Sequence, residues 1–196
     1  MSFTALFGMI ISSILIENYI FSRFLGICPF LGLSEKTSTA LGMGCAVTFV
    51  MTVSTAATWS IYHFVLVPNE LEYLKTIAFI LVIACLVQLL EMFLRKAVPA
   101  LYAALGIYLP LITTNCAILG SSLLCIQNDY EFIPAVVFSF SSAIGFTLAI
   151  VIFSFVRERV SLSETPKCFK GAPIALVTAG LIAMAFSGFS SIKLTF

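Results

Sequence analysis

Charge is what this chain has least of. Only 10% of its 196 residues are Asp, Glu, Lys or Arg, and 61% are hydrophobic. An ordinary soluble domain has about 25% charged and roughly 45–50% apolar residues. With a mean hydropathy of +1.13, a water-soluble globular domain is excluded. Long polar stretches are also missing. The connections between apolar runs reach only about a dozen residues, which leaves no room for a separate soluble catalytic domain, and 1–196 reads as a single membrane domain. Histidine is nearly absent. His63 stands alone at the end of an apolar run, an interfacial position and a poor one for a general base. No Walker A, HExxH or GxSxG motif is present, and no nucleophile–base arrangement. A net charge of +1 does not point to nucleic acid. A basic n-region followed by a small-residue cleavage site is lacking, so the first apolar segment is expected to be a membrane span and not a removable signal.

What is present is length and apolarity. A helix needs about 20 apolar residues to cross a bilayer core roughly 30 Å thick. Six segments qualify, near 3–33, 39–64, 74–94, 98–126, 132–156 and 172–192. Four of them suit one tilted span each. The first and fourth are too long and carry material that a plain span avoids. The first holds Glu17, Asn18, Ser22, Arg23, Gly26, Cys28 and Pro29; the fourth holds Gly106, Pro110, Thr113, Thr114, Asn115 and Cys116. Each is predicted to break and resume as a shorter half-helix. Pro29 suits the first position of such a helix, because its missing N–H has no partner there. Asn115 is a favoured N-cap. Both breaks therefore put a cysteine at a helix N-terminus, where free N–H groups and the dipole favour an anion or a thiolate.

The two breaks also read alike. Cys28-Pro-Phe-Leu-Gly32 and Cys116-Ala-Ile-Leu-Gly120 are offset by 88 positions. After an insertion, Ala40-Leu41-Gly42 aligns with Ala143-Ile144-Gly145, and later Ile77-Ala78 aligns with Ile174-Ala175. Each half, 3–94 and 98–192, then contains three membrane segments. Three is odd, so the halves cross in opposite senses. The expected fold is all-α: six transmembrane segments arranged as two inverted three-helix repeats. The connections after segments one, three and five carry eight Lys and Arg residues, against Lys75 and Lys193 on the other side. The excess predicts that these connections are cytoplasmic and that both termini lie outside.

Six cysteines occur, without a CxxC pair or zinc-type spacing. Cys45, Cys85, Cys125 and Cys168 read as structural. Cys28 and Cys116 stand apart because they share a repeat position and a break. The bland alternative is that they are small apolar fillers. As ligands they would be half a site, since a [2Fe–2S] cluster takes four cysteines; such a chain would have to dimerise or pair with a relative that supplies two more. Glu17 lies within the first segment, where an ionisable group suits an ion or proton path but could instead pair with Arg23. Glu91 precedes Arg95 by four residues, the spacing of a helical surface pair. Gly42-Met-Gly44 looks like a nucleotide loop only superficially and fits close helix packing.

The stretches Phe24-Leu-Gly-Ile-Cys-Pro-Phe-Leu-Gly-Leu-Ser34 and Leu109-Pro-Leu-Ile-Thr-Thr-Asn-Cys-Ala117 resemble a known family, as do Ala78-Phe-Ile-Leu-Val-Ile-Ala84 and Val156-Arg-Glu-Arg159. They are similar to the small six-helix subunits shared by Rnf-type ion-translocating oxidoreductases and sodium-pumping NADH:quinone reductases, and the Cys28-Pro-Phe form sits closer to the Rnf side. The resemblance implies a membrane subunit of a complex that passes electrons between ferredoxin and NAD and couples this to Na⁺ or H⁺ movement in a bacterial cytoplasmic membrane. It implies that Cys28 and Cys116 bind iron of an intramembrane [2Fe–2S] cluster. A homologous subunit of inverted topology would supply the other two cysteines, and further subunits would carry flavins and iron–sulfur centres. The alternatives are the matching subunit of the quinone reductase and, from another class, a redox-inactive inverted-repeat transporter.

Overall fold

The computed structural model describes residues 3–16, 18–34, 37–69, 71–97, 109–162, 166 and 171–190, and within them every regular element is helical. The first apolar segment forms α1 (Phe3–Ile11), widens into a π-helical turn (Ser12–Ile16), breaks, and resumes as α2 (Ile27–Leu33). The second is α3 (Thr37–Ile61), which also ends in a π-helical turn (Tyr62–Leu66). The third is α4 (Lys75–Ala97). Of the fourth, α5 (Leu109–Thr113) and α6 (Cys116–Gln127) are separated by a break at Thr114-Asn115. The fifth and sixth are α7 (Phe132–Ser161) and α8 (Ala172–Ser190). Both breaks fall where the composition put them. Thr37–Leu66, Lys75–Met92, Pro110–Gln127 and Phe132–Ser161 are long and apolar enough to cross a membrane, while the apolar helices Leu6–Leu15 and Ala172–Gly188 are shorter.

The centre of the fold is the pair α3 and α7, packed along each other. Their contacts run in opposite order: Gly44 meets Thr147, Met51 and Thr55 meet Ser139, and Trp59 meets Phe132. The two helices are therefore antiparallel. A Cβ on Gly44 would overlap the Thr147 side chain, whereas one on Gly42 would meet nothing within 4 Å. Close packing thus explains Gly44 and not Gly42. Apolar surface gives no drive for helices to associate in lipid, so small residues and hydroxyls take over the interface. Ser139 shows how. Its hydroxyl donates to the Met51 carbonyl at 3.1 Å, which uses its single proton, and it accepts from Thr55 Oγ1 at 2.8 Å and Ser121 Oγ at 3.2 Å. One buried side chain joins α3, α6 and α7.

The first segment leans on α7 through Gly145. A Cβ there would lie 3.0 Å from the Ile14 carbonyl oxygen and 3.2 Å from Ile14 Cα, so a side chain at this position would press the π-helical turn outward by a few tenths of an ångström. Asn18 then occupies the broken point. Its Nδ2 donates to the Gly145 carbonyl at 2.8 Å and to Ile14 O at 3.4 Å, and its Oδ1 accepts from Ile20 N at 3.1 Å. Backbone groups freed by a break inside a membrane need such partners. Phe30 of α2 stacks on Phe153 of α7 with centroids 4.1 Å apart, and both rings are buried.

Two long-range contacts tie element ends together. Arg157, near the end of α7, reaches Leu31 and Ser34 at the end of α2. Trp59, near the end of α3, donates to the Tyr130 carbonyl just before α7 at 2.9 Å. The connections after the first and fifth segments thus share one end of the bundle, and those after the second and fourth share the other. Large apolar side chains remain exposed along α4 (Ile77, Leu81, Leu89) and α8 (Leu176, Leu181, Met184).

Candidate functional site

Two interrupted helices meet in this fold, and they meet at their interruptions. The first break ends in two left-handed residues, Phe24 (φ 55°) and Gly26 (φ 79°). Gly26 is the N-cap of α2. Pro29 is consequently the third residue of that helix and not the first, because the left-handed glycine starts the helix two residues earlier than proline alone suggests. The proline still sits in the turn where N–H groups lack intrahelical partners. Cys28 is the second residue of α2. In the other break Asn115 caps α6 as expected: its Oδ1 accepts from Ala117 N at 3.0 Å, and Cys116 is the first helical residue.

Gly26 is where the two breaks touch. Its backbone N–H donates to Cys116 Sγ, with N···S of 3.0 Å. A Cβ on Gly26 would lie 2.7 Å from Phe146, 3.3 Å from Ala117 Cβ and 3.4 Å from Asn115 Oδ1. The absence of a side chain thus lets the start of one half-helix seat on the start of the other. Behind this contact Ile112, Ala117, Ile118 and Phe146 are all buried. In front, both Cys28 and Cys116 are exposed on the surface of the chain. A backbone N–H directed at sulfur stabilises a thiolate. Beside this contact Asn115 Nδ2 is buried and has no hydrogen-bond partner among the described residues. Sulfur ligands with an adjacent N–H donor suit a thiolate-bound metal centre. The donor set is nonetheless incomplete. Among the described residues no group of three or more His, Cys, Asp or Glu side chains converges. The anion-favouring helix end anticipated at both cysteines is better developed at Cys116, because α6 has twelve residues and α2 only seven.

The other residues singled out from the sequence separate cleanly. Cys125 is a packing residue, buried, with its thiol 3.6 Å from the Ala135 carbonyl. Cys45 and Cys85 are exposed on the flanks of α3 and α4 and do not pack in the interior. His63 is exposed and stacks on Trp59 with centroids 4.9 Å apart, as an interfacial residue would. Glu17, proposed for an ion path or for pairing with Arg23, lies outside the described residues, as do Gly106, Cys168 and the side chain of Arg95 that Glu91 was expected to meet. Three contributors carried little sequence signal. Gly26, Asn18 and Ser139 are common residue types, and only their positions inside apolar runs marked them.

The family model described as "Rnf-Nqr subunit, membrane protein" matches residues 6–193. The chain is 56% identical over 184 residues to the A subunit of the ion-translocating oxidoreductase complex of Syntrophotalea carbinolica, covering 94% of this chain and 95% of that protein. It is 57% identical over 186 residues to the A subunit of the Na(+)-translocating ferredoxin:NAD(+) oxidoreductase complex of Acetobacterium woodii, covering 95% and 97%. Its identity to the A subunit of the ion-translocating oxidoreductase complex of Cronobacter sakazakii is 52% over 184 residues, covering 94% and 95%. These matches agree with the likeness carried by the two break motifs. With four apolar membrane-length helices and a family match over nearly its whole length, the chain is a multi-pass membrane protein and belongs to the Rnf-Nqr subunit family.

Proposed function

We propose that this chain is a membrane subunit of an ion-translocating ferredoxin:NAD⁺ oxidoreductase complex, in which Cys28 and Cys116 hold half of a [2Fe–2S] cluster shared with a homologous subunit. The observation that carries this reading is the meeting of the two breaks. Two exposed cysteines sit at interrupted points of apolar segments, joined by the Gly26 N–H to Cys116 Sγ contact, without a third ligand among the described residues to complete a site. A half-set of ligands facing outward suits a centre closed by a partner. Such a cluster, when bound, supplies one-electron transfer at membrane depth. The chain's own residues do the rest. Gly26 N–H offers a donor to the Cys116 sulfur, Asn115 Oδ1 fixes the start of α6, and the apolar floor of Ile112, Ile118 and Phe146 backs the contact on the inner side.

The inverted-repeat reading has its own support. The sequence offset that pairs Ala40 with Ala143 is 103, and it also pairs Gly44 with Thr147. These two residues touch where antiparallel α3 and α7 cross. Equivalent helices that run oppositely and meet at equivalent residues are what a two-fold axis in the membrane plane would produce. In the bacterial inner membrane, the excess of Lys and Arg at the end shared by Arg157 and Ser34 favours the cytoplasm for that end and the outside for both termini.

The test is electron paramagnetic resonance of the purified complex carrying Cys28→Ser or Cys116→Ser. Loss of one [2Fe–2S] signal in each, with the subunits still co-purifying, supports the reading. A full signal in either variant removes that cysteine from the ligand set.

A further inference from the structure

The half-helix that carries Cys28 is held by a charge from the other end of the sequence. α2 has seven residues, well short of the ~12–15 at which an isolated helix becomes even marginally stable. Its position must come from tertiary contacts: Phe30 stacks on Phe153 along its length, and its two ends are bound separately. At its start Gly26 seats on the α6 cap. At its finish the last carbonyls have no intrahelical partners, and there Arg157 enters from α7. Its Nη1 donates one hydrogen to the Leu31 carbonyl at 2.7 Å and the other to Ser34 Oγ at 2.8 Å. Ser34, the C-cap residue, is fully buried. A cation at a helix C-terminus is favourable against the dipole, and here it is also the bolt that fixes a short helix to a long one.

Leu31, whose carbonyl Arg157 holds, follows Cys28 by three residues, a rise of about 4.5 Å along the helix axis. The corresponding bond at the other end of the bundle is neutral. α6, which carries Cys116, runs into Tyr130, and the Tyr130 carbonyl accepts from Trp59 Nε1 of α3. Each cysteine-bearing half-helix is thus tied at its far end to the long helix of the opposite half, one tie being a guanidinium and the other an indole.

We infer that Arg157 is a positioning residue for the redox centre: it fixes the half-helix bearing Cys28 against α7, and its fixed positive charge raises the midpoint potential of the cluster held there. This rests on Cys28 being a ligand. Reduction adds a negative charge to the centre, and a cation fixed at the far end of the helix that carries Cys28 favours that state.

The experiment is a redox titration of the [2Fe–2S] signal in the intact complex, run on the wild type, Arg157→Met, Arg157→Lys and Trp59→Phe, with Cys28→Ser in parallel. Arg157→Met is expected to move the midpoint to lower potential, Arg157→Lys to move it less, and Trp59→Phe to leave it unchanged. An unaltered midpoint in Arg157→Met, or an equal drop in Arg157→Lys and Trp59→Phe, overturns the inference. If Arg157→Met does not assemble, Ser34→Ala carries the test, since it removes one of the two Nη1 bonds and leaves every charge in place. A downward shift there is expected, and none overturns the inference. A signal that survives Cys28→Ser defeats the cluster reading itself. A signal lost in Cys28→Ser but with an unmoved midpoint in the Arg157 variants defeats only the role of Arg157.

Discussion

Replacing Gly26 with alanine tests whether the contact between the two breaks is as tight as the geometry says. Two costs add. Gly26 has φ 79°, and an L-residue in the left-handed region pays roughly 1–2 kcal/mol. The added Cβ would also lie 2.7 Å from the edge of Phe146, a ring with no exposed surface. Forcing a methyl into such a place costs about 1–3 kcal/mol. The sum is about 2–5 kcal/mol. Gly171 supplies the control, with φ 95° and nothing within 4 Å of the point where a Cβ would stand, so Gly171→Ala carries the backbone cost alone. Unfolding of both variants in a graded series of denaturing detergent, followed by circular dichroism, gives the comparison. Gly26→Ala should lose about 1–3 kcal/mol more than Gly171→Ala, the steric share of the total. If Cys116 holds the proposed [2Fe–2S] cluster, the substitution should also perturb that cluster's spectrum, because the displaced residue is the donor to Cys116 Sγ. Equal destabilisation by the two substitutions would refute the tight seating of one break on the other.

Two further outcomes follow from the α3–α7 core. Gly44→Ala should destabilise the chain by about 1–3 kcal/mol, because its methyl meets Thr147, while Gly42→Ala should be neutral or gain up to about 1 kcal/mol of helix propensity in open space. The same detergent titration separates them. Ser139→Ala should cost about 1–3 kcal/mol, since it strands the hydroxyls of Thr55 and Ser121 that it accepts from. Ser141→Ala, whose hydroxyl only returns to the Val137 carbonyl of its own helix, should cost less, and a reversal of that order would sink the assignment of Ser139 as the joint of three helices.

Much of this protein is determined locally. Long apolar runs have to be helical in a bilayer because every backbone group must be satisfied within the segment. Asn18, Pro29 and Asn115 mark where that rule is broken, and the capping role of Asn115 needs only its own chemistry and the two residues after it. What the sequence leaves undecided is which way each helix faces. In water an apolar stripe identifies the inside, but in lipid the outside is apolar too. α7 has buried and exposed phenylalanines alike, Phe146 and Phe153 inward and Phe140 and Phe155 outward. Nothing in their type distinguishes them. For the same reason Cys45 and Cys85, which read as structural, are exposed on the chain, and Gly42 and Gly44 read alike although only one is a contact. The tertiary structure alone decided that Gly26 rests on Cys116, that Ser139 joins three helices, and that Arg157 closes the half-helix of Cys28. Those pairings lie 90, 18 to 88 and 123 to 126 residues apart in sequence. They depend on where helices cross, and crossing is set by shape and by the few polar groups that must find one another in an apolar solvent.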